Sequence, residues 1–119
     1  MNKILIIDDD EVTLQCLGLY LHQQGLEVFT TADGPRGIEI FKQQRPDLVL
    51  LDLGLPTLDG IQVLKEIKRV DKNSKVIMIS GYPSPDSIKN AFAAGAYAFM
   101  GKTFDLHDLR STLDYAMSA

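Results

Sequence analysis

The sequence is poor in several features, and each shortage narrows what the chain can be. Its one cysteine, Cys16, cannot form an internal disulfide, which favours a reducing compartment. No charged leader followed by an apolar stretch and a cleavage site precedes the first apolar run. No apolar run approaches the roughly 20 residues that are needed to span a bilayer. We therefore expect a soluble, cytoplasmic protein without a membrane association.

Clustered positive charge is also lacking. The 12 Lys and Arg residues are scattered and are outnumbered by 16 Asp and Glu residues, which gives a net charge of −4. Nucleic-acid backbones are bound mainly through clustered Lys and Arg. Direct nucleic-acid binding is therefore not expected.

The remaining composition is that of one globular domain. With 119 residues, of which 45% are hydrophobic, the chain can bury a single core. No linker or repeat array interrupts it. We expect one domain over residues 1–119, with no output domain in this chain.

Apolar runs alternate with segments of helical period, which is typical of βα units around a parallel sheet. Strands are predicted at residues 3–7, 27–30, 48–51, 75–79 and 96–99. Helices are predicted from about residue 11 to 24 and after the capping residues Asp33, Asp59, Ser84 and Asp105. Right-handed crossovers favour a three-layer α/β/α sandwich and leave more than one doubly wound strand order open.

The first helix should place Leu14, Leu17 and Leu21 on its inner face. Cys16 is interpreted as a small core hydrophobe beside them. His22 and His107 fall on the predicted outer faces of their helices, far apart, and neither is interpreted as catalytic.

Acidic residues follow two of the apolar runs. Asp8, Asp9 and Asp10 come directly after the first predicted strand, and Asp52 follows the third. Because ligands bind outside the carboxyl ends of parallel strands, these acids are expected to share one edge. Asp10 is interpreted as a helix cap, since capping needs one carboxylate. The other three would repel one another unless a cation lies among them.

The residue types at this edge favour magnesium and phosphoryl chemistry. Carboxylate oxygens with no His or Cys nearby suit Mg²⁺. A carboxylate can also attack phosphorus, and Asp52 is best placed to do so. Ser80, after the fourth strand, can donate its hydroxyl to a phosphoryl oxygen, and Lys102, after the fifth, can supply an ammonium.

Read in order, the motifs DD, LLDLGLP followed by DG, MIS and GK resemble those of the receiver domains of two-component response regulators, and the resemblance covers essentially the whole chain. It implies the strand order 2-1-3-4-5 with five helices, as in CheY-like proteins. It also implies that the domain is not an enzyme toward external substrates. Only its own phosphoryl transfer and autodephosphorylation would be catalysed.

The resemblance further implies a role for each matched residue. Asp52 would be the phosphoacceptor, and Lys102 would contact the phosphoryl group. Asp8, Asp9, Asp52 and the backbone carbonyl of Gly54 would hold Mg²⁺. Ser80 and Phe99 would form the switch that changes partner binding.

The implied donor is a histidine kinase or a phosphotransfer protein. The implied readout surface lies on the fourth helix, the fifth strand and the fifth helix. It would bind a downstream protein or a second copy of the chain.

The sequence departs from the family pattern at two places. Thr103 follows Lys102 where the family usually has proline after a cis bond, which would cost about 3 to 4 kcal/mol before a non-proline residue. Gly54 carries no side chain at a position that often controls water access. We therefore hypothesise that Tyr82 covers the site and tunes phosphoryl hydrolysis.

Three other functions agree less well with these residues. A phosphatase of the haloacid-dehalogenase type would need a second acid two residues after the nucleophile, where Gly54 stands. A flavin-binding module would place phosphate where Asp8, Asp9 and Asp10 would repel it. A phosphorylation-independent interaction domain would not need the acid, hydroxyl and lysine set.

Overall fold

The computed structural model describes residues 2–55, 58–103 and 105–118. Five parallel strands form one sheet, and their bounds are β1 (Lys3–Ile7), β2 (Glu27–Thr31), β3 (Leu48–Asp52), β4 (Lys75–Ser80) and β5 (Ala98–Gly101). The sheet has the order β2-β1-β3-β4-β5. The predicted doubly wound fold and its strand order are therefore confirmed.

Five helices connect and flank the strands, and their bounds are α1 (Glu11–Gln23), α2 (Gly34–Gln44), α3 (Gly60–Val70), α4 (Pro85–Ala93) and α5 (Leu106–Ser118). The predicted caps are confirmed, because the side chains of Asp10, Asp33, Asp59 and Ser84 each accept a backbone N–H of the first turn. The carboxylate of Asp105 accepts the N–H of Asp108 at 2.7 Å in the same way.

Helices cover both faces of the sheet because successive strand residues point to opposite sides. One face of β1 and β3 packs against α2, α3 and α4, with the buried residues Leu5, Ile7, Phe41, Val49, Leu51, Val63, Leu64, Ile67, Val76, Met78 and Ala91. The alternate residues pack against α1 and α5, with Ile4, Ile6, Leu14, Leu17, Leu21, Leu48, Leu50, Ile77, Leu109, Leu113 and Ala116. The central strands are buried on both sides, so their solvent-facing polar groups lie at the strand ends.

Strand β5 begins two residues later than predicted. Gly95 has a φ of 105°, and the N–H of Ala96 bonds back to the carbonyl of Ala91, so both residues belong to the end of α4. At its other end, β5 extends to Gly101. Lys102 therefore follows the strand directly, and Phe99 lies within it.

The interpretation of Cys16 as a core residue is wrong. Its side chain is exposed, whereas Leu14 and Leu17 on the same helix are buried. At about 100° per residue, Cys16 is turned away from both of these positions. The sulfur lies on the outer face of α1.

Gly60 allows α3 to start against the end of β3. A Cβ atom at this position would lie 2.5 Å from the carbonyl oxygen of Asp52 and 2.7 Å from Cα of Leu53. The N–H of Gly60 also bonds to the carbonyl of Leu53 at 3.1 Å. Only a residue without a side chain fits here.

The helices in the described part of the chain are too short or too polar to cross a lipid bilayer.

Candidate functional site

The carboxyl ends of β1, β3, β4 and β5 bring the predicted site residues together. Asp8 directly follows β1, Asp52 ends β3, Ser80 ends β4, and Lys102 directly follows β5. The register aligns Asp52 with Ile79 and Ser80 with Gly101. The residues are distant in sequence and adjacent in space because parallel strands end at one edge.

Three carboxylates form the centre of the site. One oxygen each from Asp8, Asp9 and Asp52 lies within 4.8 Å of the others. Asp8 is fully buried, and only 5% of the Asp52 surface is exposed, whereas Asp9 is exposed to solvent. The cluster is therefore open on the side of Asp9 and closed toward the sheet.

Backbone amides hold two of these carboxylates. Oδ1 of Asp8 accepts the N–H of Asp10 at 2.9 Å, and Oδ1 of Asp52 accepts the N–H of Gly54 at 3.3 Å. Each bond comes from the second residue after the carboxylate, so the turns that follow β1 and β3 orient their own acids.

Lys102 is the cation of the site, and it lies closer to Asp8 than to Asp52. Its Nζ donates to Oδ1 of Asp8 at 3.1 Å and lies 3.0 Å from Oδ2, compared with 3.6 Å from Oδ2 of Asp52. Partial burial acts to lower the pKa of Lys102, but the hydrogen bond and the charge of Asp8, with that of Asp52, outweigh it and raise the pKa. The Lys102 side chain is therefore protonated and positively charged.

The electrostatics of the cluster act most strongly on Asp52. Burial raises the pKa of Asp52 to about 6, and repulsion from the Asp8 carboxylate adds to this effect. The Gly54 amide and the Lys102 ammonium oppose the rise without cancelling it. The negative charge of the three carboxylates is therefore not fully balanced by the neighbouring positive groups.

The uncompensated negative charge of the three carboxylates raises the question of whether a metal ion fits among them. Oδ2 of Asp8 is buried and accepts no hydrogen bond from the described residues, and Nζ of Lys102 forms an ion pair with it at 3.0 Å. A buried anionic oxygen without a donor, among oxygen ligands only, suits a hard divalent cation. The residues present therefore fit Mg²⁺.

The hydroxyl of Ser80 is buried beside the cluster. Its Oγ accepts the N–H of Tyr82 at 3.1 Å, which leaves the O–H free to donate elsewhere. Phe99 is half-buried and packs against the core on the α2–α3–α4 side, aligned with Met78 of β4. The predicted switch residues therefore lie on neighbouring strands.

The surroundings of the site include the side chain of Tyr82 and the space beside Gly54. The side chain of Tyr82 is 94% exposed, so the interpretation that it covers the site is wrong for this structure. Among the described residues, none lies within 4 Å of the position where a side chain at Gly54 would begin. No described residue therefore covers Asp52 from the Gly54 side.

The peptide between Lys102 and Thr103 is trans, as no cis bond occurs in the described residues. The N–H of Lys102 bonds to the carbonyl of Ser80 at 2.7 Å. That bond fixes the backbone from which the lysine side chain extends. His22 and His107 are exposed on helices and do not reach the site.

Sequence reasoning missed the structural importance of Gly60. This glycine lets the third helix touch the backbone of Asp52 and Leu53. Its position directly after a capping aspartate was the available signal. Nothing in the sequence revealed that Lys102 favours Asp8 over Asp52.

Comparisons with known proteins agree with this geometry. The family model for the response regulator receiver domain matches residues 4–114. The chain is 36% identical over 112 residues to the sporulation initiation phosphotransferase F of Bacillus subtilis (strain 168), covering 94% of this chain and 90% of that protein. It is 36% identical over 104 residues to the chemotaxis protein CheY of the same organism, covering 87% of each.

Solved structures give the same result. A response regulator receiver domain protein from Clostridium thermocellum superposes with a TM-score of 0.93 at 31% identity, covering 99% of this chain and 95% of that one. The similarity spans every strand that contributes to the site. The chain belongs to the response regulator receiver domain family.

Proposed function

We propose that this chain is the phosphoacceptor domain of a two-component phosphorelay, with Asp52 as the acceptor. The observation that carries the proposal is the set of three carboxylates within 4.8 Å, with an ammonium 3.6 Å from Asp52. Receiver-family membership supports it. The donor would be a phosphohistidine of a kinase or of a phosphotransfer protein.

In the proposed step a carboxylate oxygen of Asp52 attacks the phosphorus of the phosphohistidine. The new O–P bond forms as the P–N bond breaks, and the leaving imidazole nitrogen takes up a proton. The open side at Gly54 admits the donor. Lys102 and the Ser80 hydroxyl then donate to phosphoryl oxygens and replace water around the anion.

Mg²⁺, held by Asp8, Asp9, Asp52 and the Gly54 carbonyl, would neutralise the charge that gathers on the transferring phosphoryl group. Asp8 and Asp52 are preformed for this role, since backbone amides already orient both carboxylates.

The test is intact-mass spectrometry after incubation with a small phosphoryl donor, with and without Mg²⁺. We expect the parent protein to gain one phosphoryl group only when Mg²⁺ is present. Asp52→Ala should gain none. Asp86→Asn, which removes an exposed acid from the first turn of α4, should behave like the parent. Equal labelling of Asp52→Ala and the parent would move the acceptor elsewhere.

Signalling would follow from the new charge. Phosphorylation adds nearly two negative charges, which would draw the Ser80 hydroxyl away from the Tyr82 amide and toward Asp52. Phe99, on the adjacent strand, could then turn into the vacated space. Because Phe99 packs beside α4, the proposed readout surface is α4, β5 and α5, for a downstream protein or a second copy.

This switch is tested by the affinity of a cognate partner for the phosphorylated forms. Ser80→Ala should lose most of the gain in affinity that phosphorylation gives the parent. Thr30→Val, on the edge strand β2, removes an exposed hydroxyl outside both the site and the proposed readout surface and should keep the gain of the parent. An unchanged gain in Ser80→Ala would remove this hydroxyl from the mechanism.

Turnover of external phosphoesters is not proposed. Hydrolases that use an aspartyl nucleophile need a second acid, and Gly54 stands where that acid would be. The chain would therefore act on its own phosphoryl group alone, in the cytoplasm, without binding nucleic acid directly.

A further inference from the structure

A polar cavity lies at the amino edge of the sheet, at the opposite end from the carboxylate cluster. Its volume is about 350 Å³, and it lies where β1, β3 and β4 begin and α5 ends. Cavities that bind small molecules have volumes of about 300 to 1,000 Å³. The lining includes Arg45, Asp47, Asp71 and Asn73. Strand β3 separates this edge from Asp52 by roughly 17 Å, so none of these residues takes part in the proposed phosphoryl chemistry.

Arg45 keeps a side chain at a backbone position that disfavours one. Its φ is 47°, and no other non-glycine residue in the described part of the chain has a positive φ. The left-handed positions that follow α1 and α4 are occupied by Gly25 and Gly95. A left-handed conformation is costly for a residue with a Cβ, and such residues cluster at functional sites. The arginine at the end of α2 therefore indicates that its side chain is used.

The guanidinium of Arg45 is oriented but has no acceptor. Its Cζ lies 5.9 Å from the centroid of the Phe41 ring, in a cation–π contact that positions the planar group. It forms no hydrogen bond or ion pair with any residue that the structure describes. Lys75, the other cation of the lining, is already engaged, because its Nζ donates to the carbonyl of Ala116 and lies 5.7 Å from the Tyr97 ring. Arg45 thus offers a planar pair of donors, which matches a carboxylate.

Two carboxylates line the same cavity and retain free oxygens. Oδ2 of Asp47 accepts the backbone N–H of Lys3 at 2.7 Å, and Oδ1 of Asp71 accepts that of Asn73 at 3.0 Å. The second oxygen of each acid has no hydrogen-bond partner among residues 2–55, 58–103 and 105–118. Neither acid forms an ion pair with Arg45, although all three line one cavity. The cavity therefore contains opposite charges that do not pair with each other.

We infer that this cavity binds a small zwitterion of the α-amino acid class. The ligand carboxylate pairs with the Arg45 guanidinium, and the ligand ammonium pairs with the free oxygens of Asp47 and Asp71. A simple anion would be repelled by the two carboxylates, and a simple cation would be repelled by Arg45. A ligand that carries both charges matches both parts of the lining. This site is independent of the proposed acceptor chemistry at the other edge of the sheet.

The first experiment titrates the protein at neutral pH with each common α-amino acid singly and follows backbone amide chemical shifts by NMR. At millimolar concentration, at least one amino acid should shift the amides of Asp47 and Asn73 in a saturable way. The matching amine without a carboxylate, and the matching carboxylic acid without an amino group, should each bind at least about tenfold more weakly, since each loses one charge-assisted contact.

Two results of this titration would overturn the inference. One is the absence of saturable shifts at the cavity with every amino acid. The other is a carboxylic acid that binds as tightly as its amino acid, because the carboxylates of Asp47 and Asp71 would then contribute nothing to recognition.

The second experiment repeats the titration with variants at residue 45. Arg45→Gly removes the guanidinium and suits the left-handed backbone, so its midpoint of urea denaturation should be no lower than that of the parent. It should bind the amino acid at least about tenfold more weakly. Arg45→Lys keeps the charge without the planar pair of donors and should bind with an intermediate affinity.

Arg36→Gln is the matched control for these variants. It removes the same charge from the first turn of α2, where Arg36 pairs with Glu39 outside the cavity. Its affinity for the amino acid should stay within about twofold of that of the parent. Equal affinities of Arg45→Gly and the parent would overturn the inference, since the arginine would then not contact the ligand.

Discussion

Two successive βα units contribute opposite qualities to the site. The β3–α3 unit carries the proposed acceptor Asp52, and its helix is anchored by the buried residues Gly60, Val63, Leu64 and Ile67. The β4–α4 unit carries the Ser80 hydroxyl, but its helix buries only Ala91 among the described residues. The proposed acceptor thus lies beside the deeply packed helix α3, and the Ser80 hydroxyl lies beside α4, which buries little of its surface.

This difference in packing bears on two separate tasks, which are keeping the proposed acceptor aligned and shifting after phosphorylation. A phosphoacceptor must stay aligned with its partners, which deep packing ensures. An element that reports the event must be able to shift, and elements with few buried apolar contacts are the least stable locally. On α4, Phe92 is 48% exposed, and Tyr82 before the helix points to solvent. We expect α4 to respond and α3 to stay in place.

The largest effect should come from removing core volume under α3. Ile67 is fully buried, so Ile67→Ala should lower the free energy of unfolding by about 2 to 5 kcal/mol in urea denaturation. Phe92→Ala on α4 should cost less than about 1 kcal/mol, because much of its ring already contacts water. Similar losses for the two variants would end the contrast between the helices.

Gly60→Ala should cost about 3 kcal/mol, at the upper end of the usual cost of overpacking. The added carbon would meet the backbone of Asp52 and Leu53, which cannot rotate away. The same variant should lose phosphoryl labelling of Asp52, since the acceptor strand would be displaced. The added carbon of Gly54→Ala meets no described residue within 4 Å, and this variant should stay within about 0.5 kcal/mol of the parent. A fully stable Gly60→Ala protein would contradict the close approach.

Asp52→Asn should stabilise the metal-free protein near neutral pH by on the order of 2 kcal/mol. The folded pKa of Asp52 is about 6, above the ordinary value of 3.8. Between these values the folded state binds more protons than the unfolded state. The contribution of Asp52 to stability therefore falls as pH rises from about 4 to about 6 and is constant above.

Denaturation of both proteins in a chelator, across this pH range, checks the prediction. The advantage of Asp52→Asn should grow from about pH 4 to about pH 6 and then level off. Asp86→Asn, which removes one exposed carboxylate outside the site, is the matched control for the change in net charge. If the gain in the free energy of unfolding of Asp52→Asn does not change with pH, folding does not raise the pKa of the Asp52 carboxyl.

The smallest effect should come from the start of α4. Ser84 and Ser87 form a reciprocal capping box, in which each side chain accepts the other's backbone N–H. Ser84→Ala should cost about 1 kcal/mol. Ser111→Ala, on an exposed helix face, should cost little. A loss above about 2 kcal/mol for Ser84→Ala would mean that α4 is held more tightly than its burial indicates.

The sequence was a good guide to the elements. The starts of β1 through β4 and the caps at Asp10, Asp33, Asp59 and Ser84 were all predicted, because apolar period and capping are local properties. The start of β5 was not, since Gly95 gave no sign that the end of α4 would take up Ala96. Competition between two elements for the same residues depends on how they pack.

The site shows the same division. That acids, a hydroxyl and a lysine would meet at one edge followed from their places after parallel strands. The outward turn of Tyr82 and the exposure of Cys16 did not follow, because a side chain's direction depends on its neighbours in space. Gly60 was visible as a glycine, but the backbone that it approaches was not.

By itself the sequence determined the succession of strands and helices along the chain, the residues that cap the helices, and which polar groups would gather at the carboxyl edge. Periodicity and capping depend on residues a few positions apart, so a short stretch of sequence is enough to specify them. Only the tertiary structure decided that the Lys102 ammonium rests on Asp8, that burial raises the pKa of Asp52, and that α3 is anchored while α4 is shallow. These properties depend on distances and burial among residues far apart in the chain, which no local pattern encodes.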